Sequence, residues 1–144
     1  MWFRAVFGLL VLAVMGASSS VGSAQAQTPS VNAFLQKWDT DRDGTLSLDE
    51  IRKAATAQFD KLDRNQKGRL TRNQLSGILS YRQFRQADKD HDGSIDQSEF
   101  QSLVENLFQA ADKDHDGTLD KKELASPAGR GLLRLFGSRQ GPLL

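Results

Sequence analysis

The chain has 144 residues, 38% hydrophobic and 26% charged, which is enough for one small domain. It contains no cysteine, and this excludes disulfides, zinc–thiolate sites and cysteine nucleophiles. The net charge of +1, from 19 basic and 18 acidic residues, does not indicate a nucleic-acid partner.

The first 26 residues predict an export signal. Arg4 supplies a positive start, an apolar run extends from Ala5 to Met15, and Ala24–Gln25–Ala26 is a small-residue cleavage pattern. The run is shorter than the roughly 20 residues of a membrane-spanning helix, although a retained anchor is the alternative. We therefore expect an exported protein, periplasmic or secreted, with no stable membrane span after signal removal.

Four twelve-residue segments recur through the rest of the chain, and we call them loops 1 to 4. They begin at Asp39, Asp63, Asp88 and Asp112, so the steps are 24, 25 and 24 residues. Loops 1, 3 and 4 carry acids at positions 1, 3 and 5, Gly at position 6 and Glu at position 12. This is the pattern of an EF-hand loop.

The pattern suits a hard cation such as Ca²⁺, which takes 6–8 oxygen ligands. Short side chains at alternate positions converge on one point, Gly permits the sharp turn, position 7 offers its backbone carbonyl, and the longer Glu binds with both oxygens. We expect Ser47 at position 9 to act through a water. The predicted metal ligands are Asp39, Asp41, Asp43, Thr45, Ser47 and Glu50 in loop 1, Asp88, Asp90, Asp92, Ser94, Asp96 and Glu99 in loop 3, and Asp112, Asp114, Asp116, Thr118, Asp120 and Glu123 in loop 4.

Loop 2 departs from the pattern at two ligand positions. Lys67 stands at position 5 and Gln74 at position 12. An ammonium about 4 Å from a unit positive charge opposes it by on the order of 4 kcal/mol at intermediate dielectric. We therefore expect no useful metal affinity there, whereas the apolar Leu70 at position 8 predicts that loop 2 still packs and pairs.

The segments between successive loops are 12, 13 and 12 residues long, too short for two helices and a linker. Each also carries apolar residues at helical spacing, such as Ile51, Ala55, Phe59 and Leu62. We therefore predict an all-α fold in which one helix leaves each loop and enters the next. Apolar residues at position 8 predict short β bridges between loops, but the sequence leaves open which loops pair.

An exported chain with four such loops and shared helices resembles lanmodulin, a family of periplasmic lanthanide-binding EF-hand proteins. Local sequence agrees at Phe59–Asp60–Lys61–Leu62–Asp63 and at 123–129, and the resemblance covers about residues 31 to 136. It implies a compact three-helix bundle with peripheral metal loops and selective binding of trivalent lanthanides. Lanmodulin loops usually carry Pro at position 2, whereas this chain has Thr40, Arg64, Lys89 and Lys113 there.

Three binding functions compete, and an enzyme is not expected because no nucleophile–base pair is evident. The first is Ca²⁺ binding at about three sites, coupled to folding, for sensing or buffering. The second is a lanthanide receptor or carrier. The third, a calmodulin-like sensor of target helices, is weakened because no Met remains after residue 26. No protein partner is indicated.

We divide the chain into a signal peptide (1–26), a four-loop domain (27–128) and a short basic amphipathic C-terminal tail (129–144). The tail packs on the helices as a cap, docks on a partner or an anionic membrane surface, or is disordered.

Overall fold

This computed structural model describes residues 30–137, which contain six α-helices and four short strands. The predicted export signal lies outside the described residues. In chain order the elements are α1 (Val31–Trp38), β1 (Leu46–Ser47), α2 (Leu48–Leu62), β2 (Arg69–Thr71), α3 (Tyr81–Ala87), β3 (Ser94–Asp96), α4 (Gln97–Ala111), β4 (Thr118–Leu119), α5 (Lys121–Ala125) and α6 (Pro127–Phe136).

Helices α2, α4 and α5 each begin at position 10 of a loop, because position 9 of that loop caps the helix. The side chains of Ser47, Asp96 and Asp120 accept a hydrogen bond from the backbone N–H of the loop's glutamate three residues later. The glutamate side chain in turn accepts from the backbone N–H of the cap, which completes a capping box. Residues close in sequence therefore determine where these helices start.

Two of the three predicted shared helices are present. Helix α2 leads from loop 1 into loop 2, and α4 leads from loop 3 into loop 4. The prediction of one continuous helix between loops 2 and 3 is wrong, because residues 72–79 form turns and an isolated bridge and only Tyr81–Ala87 is helical. Gly77 has a left-handed φ of +81°, which interrupts a right-handed helix, and Ser80 caps a new one. The three-helix bundle is accordingly not confirmed.

The strands pair the loops antiparallel, loop 1 with loop 4 and loop 2 with loop 3. Leu46 lies opposite Leu119, and Leu70 lies opposite Ile95, so the predicted bridges at position 8 are confirmed. All four side chains are fully buried. Loop 2 thus packs and pairs as predicted.

Helix α6 closes the hydrophobic core together with α1 and α2. Phe136 packs against Phe34 with ring centroids 5.2 Å apart, and the buried amide of Gln58 donates a 3.0 Å hydrogen bond to the backbone carbonyl of Leu135. The segment that begins at Pro127 therefore contributes to the same core as the loops, while the division of the chain at residue 128 stays a prediction. Within residues 30–137, none of the helices has the length and apolarity needed to traverse a bilayer.

Candidate metal centre

The position-1 aspartates lie at the C-terminal ends of the helices that precede the loops. The C-caps of α1 to α4 are Asp39, Asp63, Asp88 and Asp112. The backbone N–H of each cap donates a hydrogen bond to a carbonyl of its helix. In every loop the aspartate Oδ2 accepts from the N–H of the position-6 glycine, at 3.0, 2.7, 3.1 and 3.1 Å in loops 1 to 4. This bond holds the first ligand position against the turn.

The turn itself depends on left-handed backbone at positions 4 and 6. The glycines at position 6 have φ between +70° and +88°, a region that L side chains rarely adopt. The position-4 residues have φ between +52° and +61° and are exposed, with His91 and His115 among them. Two left-handed residues in three reverse the chain tightly enough to bring alternate side chains together.

Three groups of carboxylates converge within residues 30–137. In each group, one ligand oxygen from each residue lies within 4.8 Å of the others. The groups are Asp39, Asp41 and Asp43 in loop 1, Asp88, Asp90 and Glu99 in loop 3, and Asp112, Asp114 and Glu123 in loop 4. These are the loops in which the sequence predicts a metal site.

A buried oxygen without a hydrogen-bond partner marks each of these three loops. It is the Oδ1 atom of Asp39, Asp88 or Asp112. A buried carboxylate oxygen left unpaired is unfavourable, whereas a cation in the loop would pair it. In loop 2 the equivalent Oδ1 of Asp63 instead accepts from the Lys67 N–H at 3.2 Å. The donor set therefore fits a hard cation in loops 1, 3 and 4.

The position-12 glutamate ties the end of each of these loops back to its beginning. Glu50 Oε1 accepts from the Thr40 N–H at 2.6 Å and the Thr40 hydroxyl at 2.8 Å, while Oε2 accepts from the Ser47 N–H and hydroxyl at 3.0 Å. Glu99 and Glu123 accept from the position-2 N–H at 2.8 Å each. Burial raises the pKa of Glu50, but the hydrogen bonds from Ser47 and Thr40 outweigh it and lower the pKa to about 2. Glu50 is therefore ionised at neutral pH, as a metal ligand must be.

One oxygen of each position-5 aspartate accepts two hydrogen bonds from the residue at position 7. In loops 1, 3 and 4, Oδ1 of this aspartate accepts from both the N–H and the hydroxyl of the position-7 residue, at 2.7–2.8 Å. These position-7 residues are Thr45, Ser94 and Thr118.

Several predicted ligands lie outside the three convergent groups. They are Glu50 in loop 1, the position-5 residues Asp92 and Asp116, the position-7 residues Thr45, Ser94 and Thr118, and the position-9 residues Ser47, Asp96 and Asp120. The position-9 side chains instead accept from the first turn of a helix, since they are N-caps.

Repulsion between carboxylates is evident in loop 1. A hydrogen bond from the Asp43 N–H lowers the pKa of Asp41, but desolvation and the negative charges of Asp43 and Glu50 raise it further than the bond lowers it. A cation in loop 1 would remove this repulsion.

Loop 2 is closed by its own hydrogen bonds. Gln74 Oε1 accepts from the Thr71 N–H and hydroxyl at 2.8 Å, and Gln74 Nε2 donates to the Leu62 carbonyl at 3.2 Å. The Lys67 N–H donates to both Asp63 and Asn65. The groups that would face a cation are thus already paired within the loop.

Sequence reasoning missed one residue that contacts a predicted ligand. Arg69 in β2 forms an ion pair with Asp92 at position 5 of loop 3. The two residues lie 23 positions apart in sequence, in different loops, so only the pairing of loop 2 with loop 3 could have revealed the contact.

Comparison with known proteins agrees with this geometry. A family model described as EF hand matches residues 31–55, 82–104 and 103–126, which contain loops 1, 3 and 4, and residues 56–81 with loop 2 lie between the matched segments. The chain is 28% identical to an Arabidopsis thaliana protein described as probable calcium-binding protein CML27, over 65% of this chain and 66% of that relative. Three segments of this chain are therefore similar to EF hands, and they contain the loops in which the carboxylates converge.

Proposed function

We propose that the protein binds Ca²⁺ in loops 1, 3 and 4, and that loop 2 binds none. The observation that carries this proposal is the unpaired buried Oδ1 of Asp39, Asp88 and Asp112, together with its absence at Asp63 in loop 2. Carboxylate and carbonyl oxygens are the ligands that Ca²⁺ prefers. The name of the Arabidopsis relative, a probable calcium-binding protein, adds support.

Binding is expected to stabilise the fold, as sensing or buffering requires. Loops 1, 3 and 4 hold fifteen of the eighteen acidic residues, five in each. Their mutual repulsion disfavours the metal-free fold, and a ligand that binds only the folded state stabilises it by mass action. Neutralising the carboxylates therefore links metal concentration to stability.

Calorimetry on the mature chain tests the stoichiometry. We expect three equivalents of Ca²⁺ per chain. A value of zero would overturn the proposal, and a value of four would show that loop 2 binds despite Lys67 and Gln74. Trp38 directly precedes Asp39, so terbium luminescence sensitised by this residue reports loop 1 separately.

Lanthanide binding is the second candidate function. The five carboxylates of each loop favour a trivalent ion, whereas the cationic Lys89 and Lys113 at position 2 oppose it. Competition between terbium and Ca²⁺ discriminates the two functions. Terbium that resists a large Ca²⁺ excess supports lanthanide selectivity, and displacement at similar concentrations contradicts it.

We also propose that the protein is exported to the periplasm or secreted. The support is the pattern of residues 1–26, a charged start, an apolar run and a cleavage sequence. N-terminal sequencing of the protein from a periplasmic or culture fraction should begin at Gln27. Recovery of the chain only from the cytoplasmic fraction with Met1 intact would refute export.

A further inference from the structure

An arginine side chain of loop 2 contacts a predicted ligand of loop 3. Arg69 occupies position 7 of loop 2, and in the antiparallel β2–β3 pair it lies opposite Asp96. Its guanidinium Nη1 reaches past that position and pairs with Oδ2 of Asp92. Arg69 is therefore attached to one loop while its charge lies in the other.

Both oxygens of Asp92 are engaged in this arrangement. Oδ1 accepts from the Ser94 N–H at 2.8 Å and from the Ser94 hydroxyl at 2.7 Å, and Oδ2 bonds the arginine. A metal ion that recruits Asp92 through Oδ2 has to displace the guanidinium. A metal ion that binds without displacing the guanidinium has the positive charge of Arg69 close beside it.

Loop 4 offers a comparison for the aspartate at position 5. Asp116 is the equivalent of Asp92, and its Oδ1 accepts the same two bonds, from the Thr118 N–H and hydroxyl. Across the part of the chain that the structure describes, Asp116 forms no ion pair. The position-5 aspartate is therefore paired with an arginine in loop 3 and not in loop 4, although both loops have five carboxylates.

The register of the strands identifies the reason for the difference. Leu46 faces Leu119 in the loop 1–loop 4 pair as Leu70 faces Ile95 in the loop 2–loop 3 pair. The residue before Leu46 therefore takes the place of Arg69, and it is the uncharged Thr45. The same backbone framework supplies a cation to loop 3 and none to loop 4.

We propose that Arg69 lowers the calcium affinity of loop 3, by pairing with Asp92 and opposing the incoming ion. This inference rests on the proposed calcium binding. A unit charge about 5 Å from a divalent ion in a water-like dielectric changes binding on the order of tenfold. Because Arg69 is largely exposed, salt reduces the effect. Loop 2 thus retains a role although it binds no metal, since it tunes the affinity of the loop with which it pairs.

Site-resolved NMR titration of the mature chain with Ca²⁺ tests the proposal. The amides of Gly93 and Gly117 donate to the position-1 aspartates of loops 3 and 4, so each reports its own site. In the Arg69→Gln variant we expect the midpoint of the Gly93 shift to fall about tenfold in Ca²⁺ concentration, with the Gly117 midpoint unchanged. In the Arg69→Lys variant the Gly93 midpoint should stay close to the wild-type value, because lysine keeps the positive charge.

Two further variants separate the ion pair from general charge effects. Arg72→Gln removes an arginine that lies over the Tyr81 ring, 4.6 Å from its centroid, and should leave the Gly93 midpoint unchanged. Thr45→Arg should raise the Gly117 midpoint about tenfold, because it places a cation beside loop 4.

The outcomes also separate this inference from the proposed function. A Gly93 midpoint that is the same in wild type and Arg69→Gln would overturn the inference, as would equal shifts from Arg69→Gln and Arg72→Gln. A wild-type protein in which none of the loop glycines responds to Ca²⁺ would instead overturn the proposed function. Should Thr45→Arg not fold by circular dichroism, the Arg69 and Arg72 variants decide the question alone.

Discussion

The side-chain amide of Gln74 donates a 3.2 Å hydrogen bond to the backbone carbonyl of Leu62 and so joins the last residue of loop 2 to the end of α2, which precedes the loop. In loops 1, 3 and 4 the position-12 residue is a glutamate that accepts from the position-2 N–H instead. One exchange of an oxygen for a nitrogen thus converts an acceptor suited to a cation into a donor that closes the loop without one.

Restoring two ligands to loop 2 should create a fourth calcium site. We expect the Lys67→Asp/Gln74→Glu double variant to bind four Ca²⁺ by calorimetry, because it removes the opposing ammonium and returns the bidentate carboxylate. The single variant Gln74→Glu is the control and should still bind three, since Lys67 remains. A double variant that also binds three would show that the turns at 72–79 prevent a functional loop.

Removing the position-12 charge should abolish one site at a time. We expect Glu99→Gln and Glu123→Gln each to weaken their own loop on the order of 100-fold or more, because a neutral amide offers a single oxygen in place of two. The amide signals of Gly93 and Gly117 measure the two sites separately. Glu105→Gln is the control, because Glu105 lies on α4 and pairs with Arg52 at 2.7 Å outside any loop. Unchanged affinities in both loop variants would refute the ligand assignment.

Two glycines of α6 should respond oppositely to alanine. A Cβ on Gly129 would lie 2.2 Å from the Glu123 carbonyl oxygen and 2.6 Å from the Leu124 Cα, both backbone atoms that cannot move aside. We expect Gly129→Ala to lower the free energy of unfolding by about 3 kcal/mol in urea denaturation.

Gly131→Ala is the matched control for this substitution. Its Cβ would lie 3.3 Å from the flexible Leu107 Cδ2, and alanine favours helix by up to about 1 kcal/mol. We therefore expect stability equal to or slightly above that of the wild type. Equal destabilisation by both substitutions would contradict the close approach of α6 to α5.

The stability of the metal-free protein should depend on Glu50 at acidic pH. Although burial acts in the opposite direction, hydrogen bonds lower the pKa of this group from 4.5 to about 2 in the folded state. The unfolded chain therefore binds the proton more readily, so the stabilisation is present above about pH 4.5 and is lost as pH falls towards 2. In urea denaturation across this range, the free energy of unfolding should fall less steeply with decreasing pH for Glu50→Gln than for the wild type. Parallel curves would contradict the low pKa.

Much of the site follows from the sequence because its interactions are local. The hydrogen bonds from the position-6 N–H to the position-1 aspartate span five residues, and those of the capping boxes span three. Such contacts form wherever the twelve-residue pattern occurs, so loop positions and the starts of α2, α4 and α5 are predictable. The break between loops 2 and 3 was not predictable in this way. Leu75, Ile78 and Leu79 lie at helical spacing, while Gly77 adopts a left-handed backbone that periodicity does not encode.

The sequence by itself therefore determined the positions of the four loops, a ligand set that includes the carboxylates converging in three of them, and the replacement of two ligands in loop 2 by Lys67 and Gln74. Only the tertiary structure decided that loop 1 pairs with loop 4 and loop 2 with loop 3, that Phe136 of α6 closes the core, and that Arg69 reaches Asp92. The physical reason is distance along the chain. Leu46 and Leu119 meet only when the helices between them pack, and this packing depends on the whole core rather than on any one segment.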